Sequence, residues 1–525
     1  RNSAAWATSS ANDAPRLYRP PVNDQIVIRL HPLGHSLTLP RGAALQDALF
    51  PWGVEFPCGG RGLCTRCRVR VLEGTLRVTD EDRRVFTPSE LAAGWRLACR
   101  ARAEGPLTLE IGQWETAILA DDSPFQFTPR QGLGLAVDVG TTTLVAQLVD
   151  LATGRVAGVR ATLNPQAAFG ADVMSRIEYA LRPGGLQRLC DLIRREIGRM
   201  AAELSRAADR PLSRVALVGN TVMHHLFCGI DVAPLSRVPF QSQRDGLEMF
   251  RSADLGWDLP GDPPVVFLPC LGGFVGSDVL AGLLATRMLE SEHIVGLMDL
   301  GTNGEVVFGS HHGAVCASAA AGPAFEGGRI SCGMRAATGA IAEVVLKDGR
   351  PECRVIGQTE ARGICGSGLV DAAAVALDLG LLDQRGRLLA DGDRWELCPP
   401  VVLTQKDIRE LQLAKAAIAA GARIVLRRLG RRPDEVSRVY LAGAFGNYIN
   451  RASARRIGLL EFPEERVTPA GNTALLGAKM ALFLLDGESG SFQHVRRRVE
   501  HVSLAADPEF QEIFVEQMLF PRAPG

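Results

Sequence analysis

The sequence predicts a multidomain α/β protein, and three observations support that fold class. The chain has 525 residues, enough for roughly three or four domains of ordinary size. Its composition, 46% hydrophobic with 56 glycines, is typical of globular α/β proteins with many tight turns. An apolar strand, an Asp-x-Gly-Thr turn and a second strand occur in this order twice, at Asp138 and at Asp299. A repeated unit of this kind predicts two related halves.

The charge balance excludes some classes of partner. Lys and Arg total 58, as do Asp and Glu, so the formal net charge is zero. We therefore expect neither a nucleic-acid nor a membrane-surface partner. The sequence has no apolar run of about 18 residues that would span a membrane. Of the twelve cysteines, eight are scattered and are interpreted as buried reduced thiols, which predicts a reducing, cytoplasmic location.

The other four cysteines lie together near the N-terminus. Cys58, Cys64, Cys67 and Cys99 follow the spacing Cys-x5-Cys-x2-Cys, with the fourth further along. Four thiolates at such spacing, with glycines in the first loop, predict a 2Fe–2S cluster, which moves single electrons. A zinc site is the alternative, but it usually has two Cys-x2-Cys pairs and only one is present.

The elements around these cysteines follow a recognisable order. Two strands, a short helix, the cysteine loop and further strands look like a β-grasp ferredoxin domain, and the Cys-x5-Cys spacing is similar to its adrenodoxin-like branch. The resemblance covers about residues 24–112. The predicted elements are strands at 25–30 and 36–39, a helix at 43–50, and strands at 67–74 and 107–111.

The two Asp-x-Gly-Thr turns suit phosphate binding. Such a turn between two strands presents backbone N–H groups and hydroxyls to a phosphate. The Asp at the strand end can hold a hydrated Mg²⁺ through water. One copy alone is also a common turn, but two copies facing each other can clamp a polyphosphate from both sides.

A third element is LAGAFGN, where a strand predicted over 439–447 meets a helix. Its glycines would let the backbone approach a flat ring and its ribose, although a close helix–strand contact is the alternative. There is no Gly-x4-Gly-Lys-Ser/Thr motif. The three elements in this order resemble the superfamily of actin, sugar kinases and heat-shock chaperone ATPases, which implies two lobes about a nucleotide cleft.

That resemblance implies roles for individual residues. ATP phosphates and Mg²⁺ would contact the two turns, and adenosine would contact the later glycine motif. The residues matching these roles are Asp138, Gly140, Thr141, Thr142 and Thr143, then Asp299, Gly301, Thr302 and Asn303, and finally Gly443, Ala444 and Gly446.

Two further acids lie in glycine-rich strings. Asp278 and Glu326 are candidates to position Mg²⁺ or an attacking water, alongside Asp138 and Asp299. Capping of a helix by Asp278 is the alternative. Glu305, just after the second turn, is interpreted as a polar strand position.

A ferredoxin domain joined to such an ATPase resembles the reductive activators of corrinoid-dependent enzymes. The match covers about residues 24–515 and includes the strings GNTVMHHLFCGI and GNTALLGA. It implies ATP-dependent reduction of a Co(II) corrinoid to Co(I) on a partner corrinoid protein or cobalamin-dependent methyltransferase. It also implies an upstream flavoprotein or ferredoxin donor and allows a homodimer. The alternatives are a small-molecule kinase with a redox-sensing ferredoxin domain and a non-catalytic electron-delivery scaffold.

The predicted fold is thus an N-terminal β-grasp ferredoxin domain followed by a two-lobed actin-like ATPase with duplicated halves. The expected boundaries are a disordered leader or expression remnant at 1–23, the ferredoxin domain at 24–112, a linker at 113–131, the two ATPase halves at 132–293 and 294–515, and a tail at 516–525.

Overall fold

The computed structural model describes most of the chain. Three predicted site residues, Cys58, Cys64 and Thr302, lie outside the described residues, as do the predicted leader 1–23 and most of the linker. The described residues are 24–31, 35–49, 52, 54, 62, 67–111, 127–170, 172–242, 244–301, 303–336, 339–356, 359–390, 393–446, 449–485 and 490–522.

The N-terminal unit is a mixed sheet of β-grasp type, as predicted. Its strands are ordered β2-β1-β7-β4-β5, with β1 and β7 parallel at the centre and antiparallel pairs on both sides. Apolar residues alternate along β1, which buries Ile26, Ile28 and Leu30 on one face. The elements are β1 (Gln25–His31), β2 (His35–Pro40), β3 (Ala43–Ala44), α1 (Leu45–Leu49), β4 (Arg68–Glu73), α2 (Asp80–Val85), α3 (Pro88–Ala92), β5 (Trp95–Leu97), β6 (Arg102–Ala103) and β7 (Leu107–Ile111).

The first half of the next unit is built on a sheet ordered β10-β9-β8-β11-β13-β12. Helix α5 is amphipathic and buries Leu189, Ile193 and Ile197. The elements are β8 (Leu133–Val139), β9 (Thr143–Asp150), β10 (Val156–Leu163), α4 (Val173–Ala180), α5 (Gly185–Ala207), β11 (Leu212–Val218), α6 (Thr221–Cys228), β12 (Glu248–Arg251), β13 (Pro264–Phe267) and α7 (Ser277–Thr286).

The second half has a sheet ordered β23-β22-β14-β15-β16-β24. Its strands are β14 (Val295–Leu300), β15 (Gly304–Ser310), β16 (Gly313–Ala319), β17 (Ala340–Lys347), β18 (Arg350–Val355), β19 (Gly363–Ile364), β20 (Arg394–Cys398), β21 (Val401–Thr404), β22 (Arg438–Ala442), β23 (Val467–Gly471) and β24 (Val499–His501). Its helices are α8 (Gly366–Asp378), α9 (Gln405–Arg428), α10 (Gly443–Gly446), α11 (Arg451–Arg456), α12 (Thr473–Leu484), α13 (Gly490–Arg497) and α14 (Phe510–Gln517).

The two halves share one topology, which confirms the predicted duplication. In each, three antiparallel strands are followed by two parallel ones, in the orders β10-β9-β8-β11-β13 and β16-β15-β14-β22-β23. Helix α12 of the second half packs on β8 and β11 of the first, and on α7. That helix contact is close because a Cβ atom on Gly477 would overlap the Ala281 carbonyl. The two Asp-x-Gly-Thr turns therefore lie in halves that pack directly against each other.

Two sequence expectations need correction. The strand predicted over 439–447 ends at Ala442, because Gly443 has a φ of +82° and begins the short helix α10. The predicted tail from 516 belongs instead to the second half. Helix α14 continues to Gln517, and the Leu519 carbonyl accepts a 2.5 Å hydrogen bond from buried Lys415 Nζ on α9.

No helix in the described part of the chain is both long and apolar enough to cross a membrane.

Candidate functional site

Two of the four predicted cluster cysteines lie in the described part of the chain, and they converge. Cys67 directly precedes β4, and Cys99 lies in the helical turn after β5. Both side chains are buried, and their Sγ atoms lie 3.2 Å apart. This distance is too long for a disulfide, which needs about 2.05 Å, and short enough for both thiolates to bind one iron. The residues present therefore fit the predicted 2Fe–2S group.

The buried carboxylate of Asp82 fixes the approach to Cys99. Its Oδ2 accepts from the backbone of Thr79 at 2.8 Å, which caps α2, and its Oδ1 accepts from Leu97 N at 2.8 Å. Leu97 lies two residues before Cys99, so this side chain ties the strand that carries the ligand to the neighbouring helix. Nearby, Gly62 has a φ of +71°, a left-handed conformation that favours glycine in the cysteine loop.

In the duplicated unit, the three predicted catalytic aspartates come together. Asp138 and Asp299 lie near the ends of β8 and β14, and Asp278 lies in the first turn of α7. Burial raises the pKa of Asp138 to about 6, although the Asn472 amide opposes it. Burial and then the charge of Asp138 raise the pKa of Asp299 to about 7. Burial and the other two carboxylates also raise the pKa of Asp278. Three acids thus share a site that disfavours their charge.

A fourth acid, Glu305, belongs to this cluster and not to a simple polar strand position. The sheet register pairs Asp299 with Glu305 and Glu305 with Ser318, which aligns three polar residues across β14, β15 and β16. Glu305 is buried, and its Oε1 accepts from Ser318 Oγ at 3.0 Å. Burial and the charges of Asp278 and Asp299 raise its pKa well above the usual range.

The other acid expectations have different outcomes. Glu326 lies in the turn 323–326, which packs on α8 and α9. The N-cap position of helix α7 is Gly276, so Asp278 is not the N-cap residue. Its Oδ1 nevertheless accepts from Val279 N at 2.8 Å in the first turn, so the carboxylate lies at the helix start as the capping alternative expected.

The first Asp-x-Gly-Thr turn is held from behind at three successive carbonyls. Asn164 Nδ2 donates to the Gly140 carbonyl at 2.9 Å, and Asn164 N donates to the Thr142 carbonyl at 2.9 Å. Arg176 Nη2 donates to the Thr141 carbonyl at 2.5 Å. In a trans peptide the following N–H points away from the carbonyl. The N–H groups of Thr141 and Thr142 therefore face the opposite side of the turn. Thr143, the last predicted contact here, is the first residue of β9.

Two asparagines that sequence reasoning did not assign contact the first turn. Asn220 caps α6, and its Nδ2 donates to Thr141 Oγ1 at 2.9 Å. Asn472 caps α12, and its Nδ2 donates to Asp138 Oδ2 at 2.8 Å. Both occur in the tripeptide Gly-Asn-Thr after a parallel strand. That repeated tripeptide is the sequence signal that could have identified them.

The second turn has a different neighbour. A Cβ atom on Gly443 would overlap Asp299 Oδ1 and lie 2.7 Å from the Leu300 carbonyl, so the glycine motif lies directly against this turn. A Cβ atom on Gly446 would lie 3.5 Å from Leu441, an ordinary contact, and Ala444 lies in the same short helix. Within the turn, Gly301 N donates to the Asn303 carbonyl at 2.9 Å.

The N-terminal unit contacts the first half close to the first Asp-x-Gly-Thr turn. The Arg160 guanidinium lies 4.2 Å from the centroid of the Trp52 ring, and its Nε donates to Glu203 at 3.0 Å. Arg160 is on β10, the strand that leads into Asn164. One edge strand therefore reaches both the cysteine-bearing unit and the first turn.

Family models match the chain in three consecutive segments. A 2Fe–2S iron–sulfur cluster binding domain matches residues 28–104. The RACo middle region matches residues 133–291, and the C-terminal domain of RACo, described as the ASKHA domain, matches residues 293–524. The three segments follow the N-terminal unit and the two halves in order.

Relatives of known activity span most of the chain. It is 34% identical over 419 residues to the corrinoid activation enzyme RamQ of Eubacterium limosum, covering 74% of this chain and 70% of that one. It is 27% identical over 423 residues to the Co(II) methylated amine-specific corrinoid protein reductase of Methanosarcina barkeri, covering 74% and 77%. A solved structure, a reductive activator for corrinoid, iron–sulfur protein, superposes with a TM-score of 0.66 at 27% identity, covering 94% and 98%.

Proposed function

The chain belongs to the family of corrinoid reductive activators, which join a 2Fe–2S domain to an ASKHA domain, and from this premise we propose its reaction. It uses ATP hydrolysis to deliver one electron to a Co(II) corrinoid on a partner protein, leaving Co(I). One observation carries the proposal: a single chain has converging buried thiols, Cys67 and Cys99, in one unit and a duplicated Asp-x-Gly-Thr cleft in the next.

The N-terminal unit is assigned to electron transfer. Cys58, Cys64, Cys67 and Cys99 are the proposed ligands, and the bound 2Fe–2S group supplies one electron at a time. The protein's part is to hold the thiolates in place, which the bond from Leu97 N to Asp82 does for the segment before Cys99. An upstream flavoprotein or ferredoxin is the expected source of electrons.

The cleft is assigned to MgATP. The N–H groups of Thr141 and Thr142 are available to phosphate oxygens because the carbonyls on either side are held from behind. Thr302 and Asn303 of the second turn are the proposed partners on the other side. Among the described residues, no three His, Cys, Asp or Glu side chains are close enough together to hold a metal ion directly. We therefore propose that Asp138 and Asp299 hold Mg²⁺ through its water shell.

The aspartate cluster also suits hydrolysis. A carboxylate whose pKa lies near the working pH can accept a proton from an attacking water. Asp278, whose pKa is raised by burial and by Asp299 and Asp138, is the proposed acceptor. Glu305 is the direct partner of Asp299 in the sheet register, and the hydrogen bond that Ser318 Oγ donates to its Oε1 holds the Glu305 side chain in place.

ATP is needed because the electron transfer is unfavourable. Plant-type ferredoxin potentials lie near about −400 mV, and a Co(I) corrinoid is harder to make than that. Each gap of about 59 mV costs a factor of ten for one electron. ATP can offset this only by favouring one conformation or complex over another. Closure of the two halves on nucleotide is the proposed change, and it acts by altering how the corrinoid partner docks.

The decisive experiment follows Co(I) formation. The anaerobically reconstituted protein is mixed with a purified Co(II) corrinoid protein and a reductant, and the visible spectrum of cobalt is recorded with ATP, without ATP, and with a non-hydrolysable analogue. Co(I) should accumulate only with ATP. Equal rates in all three mixtures would refute the coupling.

A cysteine pair supplies the matched control. Cys99→Ser should keep ATP binding and lose electron delivery, because it removes a proposed ligand. Cys190→Ser, at a buried thiol that donates to the Phe227 carbonyl at 3.3 Å on the first half, should keep both. Electron delivery by Cys99→Ser at the wild-type rate would contradict the assigned ligand set.

A further inference from the structure

Arg176, on α4, is buried with 0% exposure directly behind the first Asp-x-Gly-Thr turn. Its Nη2 donates to the Thr141 carbonyl at 2.5 Å, and its Nε donates to the Gly170 carbonyl at 2.9 Å. Its Nη1 lies 3.3 Å from Gln166 Oε1 and 3.4 Å from Met223 Sδ. All four partners are neutral.

The guanidinium therefore has a buried positive charge without a carboxylate bonded to it. Among the described residues, no acid lies within ion-pairing distance of Arg176. The acid whose charge acts on it is Asp172, which caps the same helix by accepting from Ser175 N at 2.8 Å. Burial lowers the pKa of Arg176 to about 10, so the side chain stays charged at neutral pH. Burying an uncompensated charge is costly, and a bound anion would offset that cost.

The geometry directs this charge toward the cleft. Arg176 binds the carbonyl of the Thr141–Thr142 peptide, and the N–H of the same peptide points to the other side. A cation on the carbonyl polarises the peptide and strengthens its N–H as a donor. The charge thus reaches the phosphate side through a single peptide group.

We propose that Arg176 is a positioning residue for the polyphosphate chain, which fixes the Thr141–Thr142 peptide and supplies the buried positive charge that selects ligands by their negative charge. The inference rests on the proposed nucleotide site and specifies how its first turn recognises phosphate. The affinity for ATP should depend on Arg176 more than the affinity for ADP does, and the affinity for adenosine should hardly depend on it.

The test measures three affinities on the full-length protein by calorimetry with Mg²⁺ present: ATP, ADP and adenosine. Arg176→Met should weaken the binding of ATP by about tenfold or more and that of ADP by less. The binding of adenosine should weaken by less than about twofold. Arg176→Lys retains the charge, so its affinity for ATP should lie between the affinities of the wild-type protein and of Arg176→Met. Thermal unfolding reports whether each variant is folded.

A second variant changes the charge and keeps the arginine. Gln166→Glu would place a carboxylate beside Nη1 in a buried site, since Gln166 has 0% exposure. An internal ion pair would then compensate Arg176, and ATP affinity should fall several-fold with the same dependence on ligand charge. This variant decides the question even if Arg176→Met does not fold. Arg194→Met is the matched control, because Arg194 Nε donates to the Phe227 carbonyl at 2.8 Å instead of to the turn.

The outcomes separate the two proposals. If the wild-type protein binds none of the three ligands, the proposed function fails. If the wild-type protein binds them and the Arg176 and Gln166 variants leave all affinities unchanged, or weaken the three equally, Arg176 serves only the fold and the inference is overturned.

Discussion

The two Asp-x-Gly-Thr turns have the same sequence pattern and the same place in the sheet, but their surroundings differ. The first is held from behind at three carbonyls by Asn164 and Arg176. The second lies against Gly443 and has the buried acid Glu305 beyond it. Duplication therefore supplied two copies of one turn, and the side chains packed around each copy differ. We expect changes around the first turn to act on nucleotide affinity and changes around the second to act on turnover.

The largest expected effect is on the second turn itself. Asp299→Asn removes the charge that would hold the hydrated Mg²⁺, and ATP turnover should fall by about 10²–10³-fold while ATP affinity changes less than about tenfold. Phosphate release in the presence of a Co(II) corrinoid protein measures turnover, and calorimetry measures affinity. Asp434→Asn, at an exposed ion pair with Arg432, is the control. Equal losses in affinity and turnover would contradict our expectation that the second turn acts mainly on turnover and the first mainly on affinity.

The glycine beside the second turn gives the next effect. In Gly443→Ala the new methyl group meets Asp299 Oδ1, and the φ of +82° is strained for alanine. Turnover should fall by about 10–100-fold. Gly246→Ala is the control, because its Cβ would meet no atom within 4 Å, and its turnover should stay within about twofold of wild type. Similar rates for the two variants would show that the second turn tolerates displacement.

A substitution beside the first turn should change the affinity for ATP. Asn164→Ala removes the bonds of its side chain to the Gly140 carbonyl and to Gln166 N, each 2.9 Å long. Two such bonds contribute about 1–3 kcal/mol, so ATP should bind about 5–150-fold more weakly. Turnover at saturating ATP should remain within about threefold. A large drop in turnover with unchanged affinity would reverse the roles that we assign to the turns.

The pH dependence tests both turns together. Asp138 and Asp299 have pKa values raised to about 6 and 7 from 3.8, so the folded, nucleotide-free protein binds more protons than the unfolded chain between about pH 4 and 7. Stability from this source is present at low pH and is lost as pH rises through 6 and 7. The nucleotide-free protein should therefore lose on the order of 3 kcal/mol of unfolding free energy from these two groups between pH 5.5 and 8.

Two measurements test whether the stability of the nucleotide-free protein falls as pH rises. Denaturant unfolding at several pH values should show the decline, and Asp299→Asn should flatten it, because the amide does not titrate. Affinity for MgATP should change in the opposite direction and rise with pH, since Mg²⁺ requires the charged carboxylates. A stability that rises across the same range in the nucleotide-free protein would contradict the raised pKa values.

The smallest expected effect concerns the contact between Trp52 of the N-terminal unit and Arg160 of the first half. Trp52→Leu removes the ring beneath the Arg160 guanidinium, a contact of about 0.5–2 kcal/mol. Electron delivery to the corrinoid protein should slow by about two- to fivefold, while ATP hydrolysis in the absence of the partner stays unchanged. Wild-type electron delivery by this variant would show that the contact does not seat the ferredoxin unit.

Local spacing was enough to predict the two turns, the order of strands around them and the Cys-x5-Cys-x2-Cys motif. These features depend on residues close in the chain, whose periodicity and turn chemistry act before the fold forms. The same local reasoning misread Glu305, because a single polar residue in a strand does not show what lies on either side of it. In the structure every residue of β15 is buried, so its one acid has to share a site with Asp299 and Asp278.

The sequence by itself determined that a cysteine-rich electron carrier is joined to a duplicated phosphate-binding unit, since each is specified by residues a few positions apart. Tertiary structure alone decided which side chains support that unit: Asn472 reaches Asp138 across 334 positions, and Arg176 reaches the Thr141 carbonyl across 35. The physical reason is that a hydrogen bond between distant segments exists only once helices and sheets have packed. Such a bond needs one donor within about 3 Å of one acceptor, and it leaves no periodic pattern in the chain.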